Sequence, residues 1–501
     1  MAKHQYPTLY QVNTRIWLTE LSRKLGRQAG LDDLPDEDLD RMAERAFDWI
    51  WFLGVWQTGL AGRSVSRQNR EWQTEFKEVV HDFKPTDVCG SCFAITSYTA
   101  HSDFGGNSAL QRLQNRLHQR GMRLLLDFVP NHTALDHPWV QGRPGFYVQG
   151  TEEQLRREPQ NYIRIETARG PAIFAYGRDP YFPGWPDTLQ LNYAEPALQE
   201  AMRSELSQVA ARCDGVRCDM AMLVLPDVFE RTWGLQAEPF WPNTIRSLHT
   251  FKPGFLFMAE VYWDLEWTLQ QQGFDYTYDK RLYDRLRDGQ AAPVRGHFRA
   301  DSAFQRKSAR FLENHDEARA AATFSPEVHR AAAVLTYLCP GLRFFHEGQL
   351  EGRTKKISVH LGRRPDESVD LSIQDFYDRL LDTIRQPAIC DGQWQLLDCA
   401  PAWIGNWTAD CFVCFAWQAS GQPPLVVVTN YAANQSQCYV KISLNELLGR
   451  KVRLEDLMST AVHERIGDEL LSQGLYLDMP AWGYHVFKLT IGDVLSSHSC
   501  D

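Results

Sequence analysis

Short apolar runs alternate with segments of helical period from residue 8 to about residue 390, the pattern of parallel strand–helix units. The runs predict strands at Thr8–Val12, Trp49–Trp56, Arg123–Val129, Asp214–Asp219, Phe255–Glu260, Phe274–Tyr278, Arg310–Asn314 and Leu342–His346. Between them, Asp36–Arg45 reads as a helix. Asn107 reads as the cap of another that carries Leu110, Leu113 and Leu117 on one face and stops at Gly121. Pro196 opens a third, with Leu198, Met202, Leu206 and Val209 on one stripe. Eight parallel strands with intervening helices predict an α/β protein built on a (β/α)8 TIM barrel.

The period is lost over residues 133–190, which are rich in Pro, Gly, Arg and aromatics. So long an irregular stretch between two strand–helix units predicts an inserted small B domain. Past residue 392 the texture changes to short β-rich runs, Cys411–Trp417, Leu425–Asn430 and Tyr484–Leu489, punctuated by Gly, Pro and Asn. That pattern predicts a C-terminal antiparallel β-sandwich. The expected division is a barrel over 1–132 and 191–392, the insertion over 133–190 and the sandwich over 393–501, with Ser496–Asp501 a frayed tail.

The net charge is −10 with no basic block, which argues against nucleic acid or an anionic membrane as partner. No apolar run reaches the length of a membrane span and the N-terminus lacks a signal-peptide layout, so the expected compartment is cytoplasmic. The eleven cysteines include two CxxC spacings, Cys89–Cys92 and Cys411–Cys414. Nothing in the sequence gathers four zinc ligands, so free thiols are expected. Sixteen tryptophans supply flat apolar faces suited to sugar rings, although most aromatic rings fill cores.

Three acidic residues end apolar runs: Asp219 in GVRCD, Glu260 in FLFMAEV and Asp316 in FLENHD. Buried charge without a partner or a task is rare, and barrels do their chemistry at the strands' C-terminal ends. Arg217 lies two residues before Asp219, on the same face of the strand, where a guanidinium favours the ionised carboxylate. Glu260 has apolar neighbours that raise a carboxyl pKa and suit it to general acid/base work. Carboxyl oxygens roughly 5–5.5 Å apart would make the mechanism retaining. His132 and His315 can bind sugar hydroxyls, and Asp127 could hold Arg217. Singly, Asp219 or Glu260 reads as a structural ion pair as often as a catalyst, and His132 more often as a satisfied loop histidine; their conjunction is what points to catalysis.

LLLDFVPNH (124–132), GVRCD (215–219), FLFMAEV and FLENHD (311–316) resemble the four signature segments of the α-amylase family, glycoside hydrolase family 13. WPDTLQLN (185–192) resembles the segment at the end of that family's inserted domain, and the likeness covers essentially the whole chain. The resemblance implies Asp219 as nucleophile, Glu260 as acid/base and Asp316 as transition-state stabiliser. It implies Arg217, His132 and His315 as binders around the reacting glucosyl unit and Asp127 as a partner there. Phe93 in CFAITSYTAHSDFGG stands where the family often has a stacking tyrosine, with Ala94 in place of an acid. Met220, Ala221 and Met222 replace the Lys-His that endo-acting amylases often carry, which weakens a starch endo-amylase reading. Family calcium is often held partly by the asparagine matching Asn131; the other ligands are not identifiable, so a structural calcium stays open.

The expected function is a retaining α-glycoside hydrolase acting on α-glucosidic oligosaccharides or α-glucans. A transglycosidase or glycoside phosphorylase would share the glycosyl-enzyme. A carbohydrate-binding protein with a decayed site is the reading of a different class, and it would lack a carboxylate. Linkage, chain length and oligomeric state are not encoded in these motifs.

Overall fold

The computed structural model describes residues 4–494, so the expected tail at Ser496–Asp501 lies outside the described residues. Eight parallel strands close a barrel: β1 (Thr8–Asn13), β2 (Trp49–Leu53), β3 (Arg123–Phe128), β4 (Gly215–Cys218), β5 (Leu256–Ala259), β6 (Tyr276–Tyr278), β7 (Ser308–Arg310) and β8 (Leu342–His346). β1 closes the ring by pairing with both β8 and β2. The strands are short and buried on both faces, which is why they read as continuous apolar runs rather than alternating ones.

Two strand expectations are corrected. The second strand stops at Leu53, because Gly54 takes φ +77° and turns the chain. Trp56–Thr58 then pairs antiparallel with Ile95–Ala100, outside the barrel. The seventh strand is Ser308–Arg310 rather than Arg310–Asn314. Phe311 and Leu312 stay buried, but the next polar side chains capture backbone groups themselves. Asn314 Oδ1 accepts from the backbone N–H of Asp316 and Glu317, and Glu313 accepts from Ala320 N–H. Asp316 therefore sits on a turn beyond the strand, not at its end. The helix at Asn107 also starts differently: it spans Gly106–Gln119 after Gly105 at φ +94°, and Asn107 Oδ1 accepts from Ala100 N–H instead of capping.

Between β3 and β4 the chain makes a long excursion. Its ends meet where His132–Ala134 pairs with Thr188–Gln190, and a hairpin of Tyr162–Thr167 with Gly170–Ala175 forms its body. The C-terminal part is antiparallel: a six-stranded sheet and a three-stranded sheet with an apolar core between them. It docks on the barrel through Trp417 Nε1, which donates to Leu338 O, and Tyr431 Oη, which donates to Leu286 O. A third, small core joins Phe76 and Val80, in and after the helix Arg70–Val79, to Ile357 and Leu361 in the long loop after β8. All ten cysteines among the described residues are free. No helix among these residues is long and apolar enough to cross a membrane.

Candidate active site

Arg217 forms the floor of the site. It points into the barrel mouth from β4, fully buried, between the faces of Trp51 and Phe93, with its guanidinium carbon 5.4 and 5.0 Å from the two ring centres. Nη1 donates to Asp219 Oδ1 at 2.7 Å and Nη2 to Glu260 Oε2 at 2.7 Å. Asp127 Oδ1 lies 3.6 Å from Nη1, while its Oδ2 accepts from Gly54 N–H at the turn after β2.

Backbone bonds fix the two upper carboxyls. Asp219 N–H donates to Phe128 O, and Glu260 N–H to Cys218 O, extending the barrel ladder by one residue past β4 and β5. Met220 then adopts φ +42°, a left-handed conformation that costs of order 1 kcal/mol in a side chain of this kind. The turn aims Met220 N–H at Glu260 Oε2, 2.8 Å away, and Tyr262 Oη donates to the other oxygen at 2.9 Å. His315 receives Gln11 Nε2–H on Nδ1, which leaves its own proton on Nε2, 2.9 Å from Asp316 Oδ2.

The charges are unequal by design of their surroundings. Burial pushes the carboxyls of Asp219 and Glu260 upward, with Arg217 opposing it and the neighbouring carboxylates adding to it. Arg217 acts on Asp219 in the expected direction, favouring its ionised form, and desolvation opposes it. Burial also acts on Asp316, yet His315, Arg217 and Lys356 together hold it well below the usual carboxylate range. Burial, then Arg217, takes His132 down to about 3, so its imidazole is neutral.

These groups open on a cavity of about 310 Å³. Of the residues singled out in the sequence, Asp219, Glu260, Asp316, His132 and Phe93 line it. Arg217 and His315 stand behind the carboxylates they hold, and Asp127 stands behind Arg217; none of the three lines the cavity. The motifs do not signal Tyr262, Trp185, Asp187, Trp72 or His360, which also line the cavity. Trp185 and Asp187 were within reach, as the aromatic and the acid of the WPDTLQLN segment. A larger cleft of about 650 Å³, lined by Arg15, Arg63 and His101 among others, contains none of the three carboxylates.

Asn131 does not fit a calcium ion. Its Oδ1 accepts from Gln190 Nε2 at 3.0 Å, so an amide N–H stands where a cation would need oxygen. No group of three or more His, Cys, Asp or Glu able to hold a metal occurs among the described residues.

A family model, the α-amylase catalytic domain, matches residues 92–281, which include Asp219, Glu260 and Arg217. This stretch of the chain is similar to the α-amylase catalytic domain. Among curated relatives the chain is 26% identical to α-amylase MalA of Haloarcula japonica over 308 residues, 58% of this chain and 40% of that protein. Against α-amylase 3 of Dictyoglomus thermophilum it is 22% identical over 54% of each chain. Against trehalose synthase of Thermus thermophilus it is 26% identical over 230 residues, 40% of this chain and 23% of that one. The chain thus spans about half or less of the length of the curated relatives it matches. A maltogenic α-amylase from Thermotoga neapolitana shares the fold with a TM-score of 0.69 at 17% identity, over 97% of this chain and 99% of that one. The barrel, the excursion after β3 and the C-terminal β-domain all lie within the part of the chain that shares that fold.

Proposed function

We propose that this protein is a retaining α-glycoside hydrolase that acts on α-glucosidic linkages of oligosaccharides or α-glucans. The observation that carries the reading is one guanidinium gripping both Asp219 and Glu260, with Asp316 on the rim of the same cavity. Accepting from the two Nη corners of one planar group keeps those carboxyl oxygens close together. That favours the roughly 5–5.5 Å of retaining enzymes over the roughly 6.5–9.5 Å that leaves room for water in inverting ones.

In this mechanism Asp219 attacks the anomeric carbon while Glu260 gives its proton to the departing glycosidic oxygen. Burial raises both carboxyls, which suits Glu260 to carry a proton at neutral pH, and the division of roles between Glu260 and Asp219 follows the motif resemblance. Glu260, now ionised, then takes a proton from water as the water's oxygen displaces Asp219, and the starting state returns. Asp316, held ionised, faces the positive charge that develops on the sugar ring. Neutral His132 and the face of Phe93 orient that ring. Transfer to another sugar would use the same intermediate, and the trehalose synthases among the relatives favour keeping that second reading. Ten free thiols support a reducing, cytoplasmic location.

Product analysis on maltose, maltooligosaccharides, isomaltose, trehalose, sucrose and starch, with and without phosphate, tests the proposal. Asp219→Asn should abolish turnover, and a variant retaining more than a few per cent of activity rules out the nucleophile. Glu260→Gln should spare activated leaving groups over natural ones, because they need less protonation. Longer or rearranged sugars in place of shorter ones move the protein to the transferases.

A further inference from the structure

One wall of the cavity is made by residues that the catalytic reading does not use. Trp72 comes from the helix Arg70–Val79, Asp187 from the end of the excursion after β3, and His360 from the loop after β8. The three are brought together by tertiary contact alone. Trp72 stacks on the His360 ring at 4.3 Å. The main chain of His360 is held in place, since its carbonyl accepts from both Cys89 N–H and Gly90 N–H. An antiparallel bridge between Val88 and Leu361 ties the same loop to the segment that leads into Ser91 and Phe93.

The chemistry of this wall is one-sided. Ser66 donates its hydroxyl proton to Gly62 O, so at 2.9 Å it can only accept from His360 Nδ1–H. His360 is therefore left with an unprotonated Nε2, an acceptor. Asp187 is almost fully buried, and its Oδ2 has no hydrogen-bond partner in the protein. His360 Nδ1 is 4.0 Å away and already committed to Ser66. A buried carboxylate oxygen without a donor is costly, and a native fold keeps one where a ligand supplies the donor. The wall thus presents two acceptors, backed by an indole face, to whatever enters.

We infer that Asp187, His360 and Trp72 form an end stop that accepts hydrogen bonds from the free hydroxyls of a non-reducing terminal sugar, so that the enzyme removes units from chain ends. The inference rests on the glycosidase reading above and narrows its substrate. A terminal ring carries hydroxyls that can donate to Asp187 and His360. A ring inside a chain offers an ether oxygen at the linked position, which has no proton to give. Sites built to bond a hydroxyl discriminate strongly against analogues lacking it, because their own polar groups stay unpaired. The cavity's volume, about 310 Å³, is at the small end of the roughly 300–1,000 Å³ of ligand sites, which suits one end of a chain rather than its middle.

The test compares two maltopentaoses, one with a free non-reducing end and one with the terminal 4- and 6-hydroxyls tied in an ethylidene acetal. Initial rates are read by product chromatography. The wild type should turn over the free-ended sugar at least ~100-fold faster. Asp187→Ala and, separately, His360→Phe should lower kcat/KM for the free-ended sugar and shrink the preference below ~10-fold. Two independent variants guard against one that misfolds. Equal wild-type rates on both sugars would overturn the end stop and leave the glycosidase reading standing. No turnover of either sugar, nor of any glycoside in the wider panel, would overturn both.

Discussion

Replacing Asp187 by Asn should stabilise the folded protein, and only above mildly acidic pH. Burial raises the Asp187 carboxyl from its ordinary 3.8 to about 6. The sign follows from linkage: the folded state binds this proton more tightly than the unfolded chain. Its contribution is most favourable below about pH 4 and is lost as pH rises through 6. A shift of roughly two units at 1.36 kcal/mol each amounts to about 3 kcal/mol of lost stability above pH 7. An unfolding entropy of about 2.1 cal/mol/K per residue gives about 1 kcal/mol/K for this chain, so the melting temperature should rise by about 3 °C. Matched thermal melts of wild type and Asp187→Asn should coincide near pH 4 and separate by that amount at pH 8. A variant that is less stable at pH 8, or a gap independent of pH, would refute the view of Asp187 as a carboxylate kept without a donor.

Three further outcomes test other parts of the site. Tyr262→Phe removes a donor to the Glu260 carboxylate, so the alkaline limb of kcat/KM should move up by roughly one pH unit; no movement, or movement down, contradicts the assigned bond. Glu313 is pulled to about 2, against the effect of burial, chiefly by Arg319 at 2.6 Å, so its contribution is present above pH 4.5 and lost as pH falls towards 2. Glu313→Gln, which strands the buried Arg319, should cost about 3–5 kcal/mol in urea unfolding at pH 7 and less below pH 4, and a cost unchanged at low pH would be the contrary result. Excess chelator should leave the melting temperature within about 1 °C, because Gln190 already satisfies Asn131; a fall of several degrees would mean that an ion binds there.

The barrel was legible because its strands are buried on both faces, and continuous burial leaves continuous apolar runs. Leu342–His346 matches its prediction residue for residue. The errors fall where side chains compete with the backbone ladder. Asn314 and Glu313 capture main-chain N–H groups beyond β7, and the competition between polar capture and strand pairing has no signature in hydropathy. The helix Leu60–Gln68 and the helix after it escaped for a related reason. Each is only about ten residues long, and the second packs its apolar face into a small core with Ile16 and the loop after β8.

The same division runs through the site. Asp219, Glu260 and Arg217 sit on or one residue past adjacent strands, so the barrel's hydrogen-bond ladder dictates their meeting, and three short motifs suffice to find them. Trp72, Asp187 and His360 meet through the small core and the Val88–Leu361 bridge, with no local periodicity to announce the contact. The two sets also differ in what a substitution disturbs. A change at Arg217 removes the one cation shared by two buried carboxyls and collapses the charge balance of the floor. A change at Trp72 or His360 alters a wall carried by loops that the barrel does not need for closure. On the proposed reading, chemistry tied to the ladder and selectivity tied to a separate core can therefore vary independently, so the carboxylate motifs point to a reaction class and leave the substrate open.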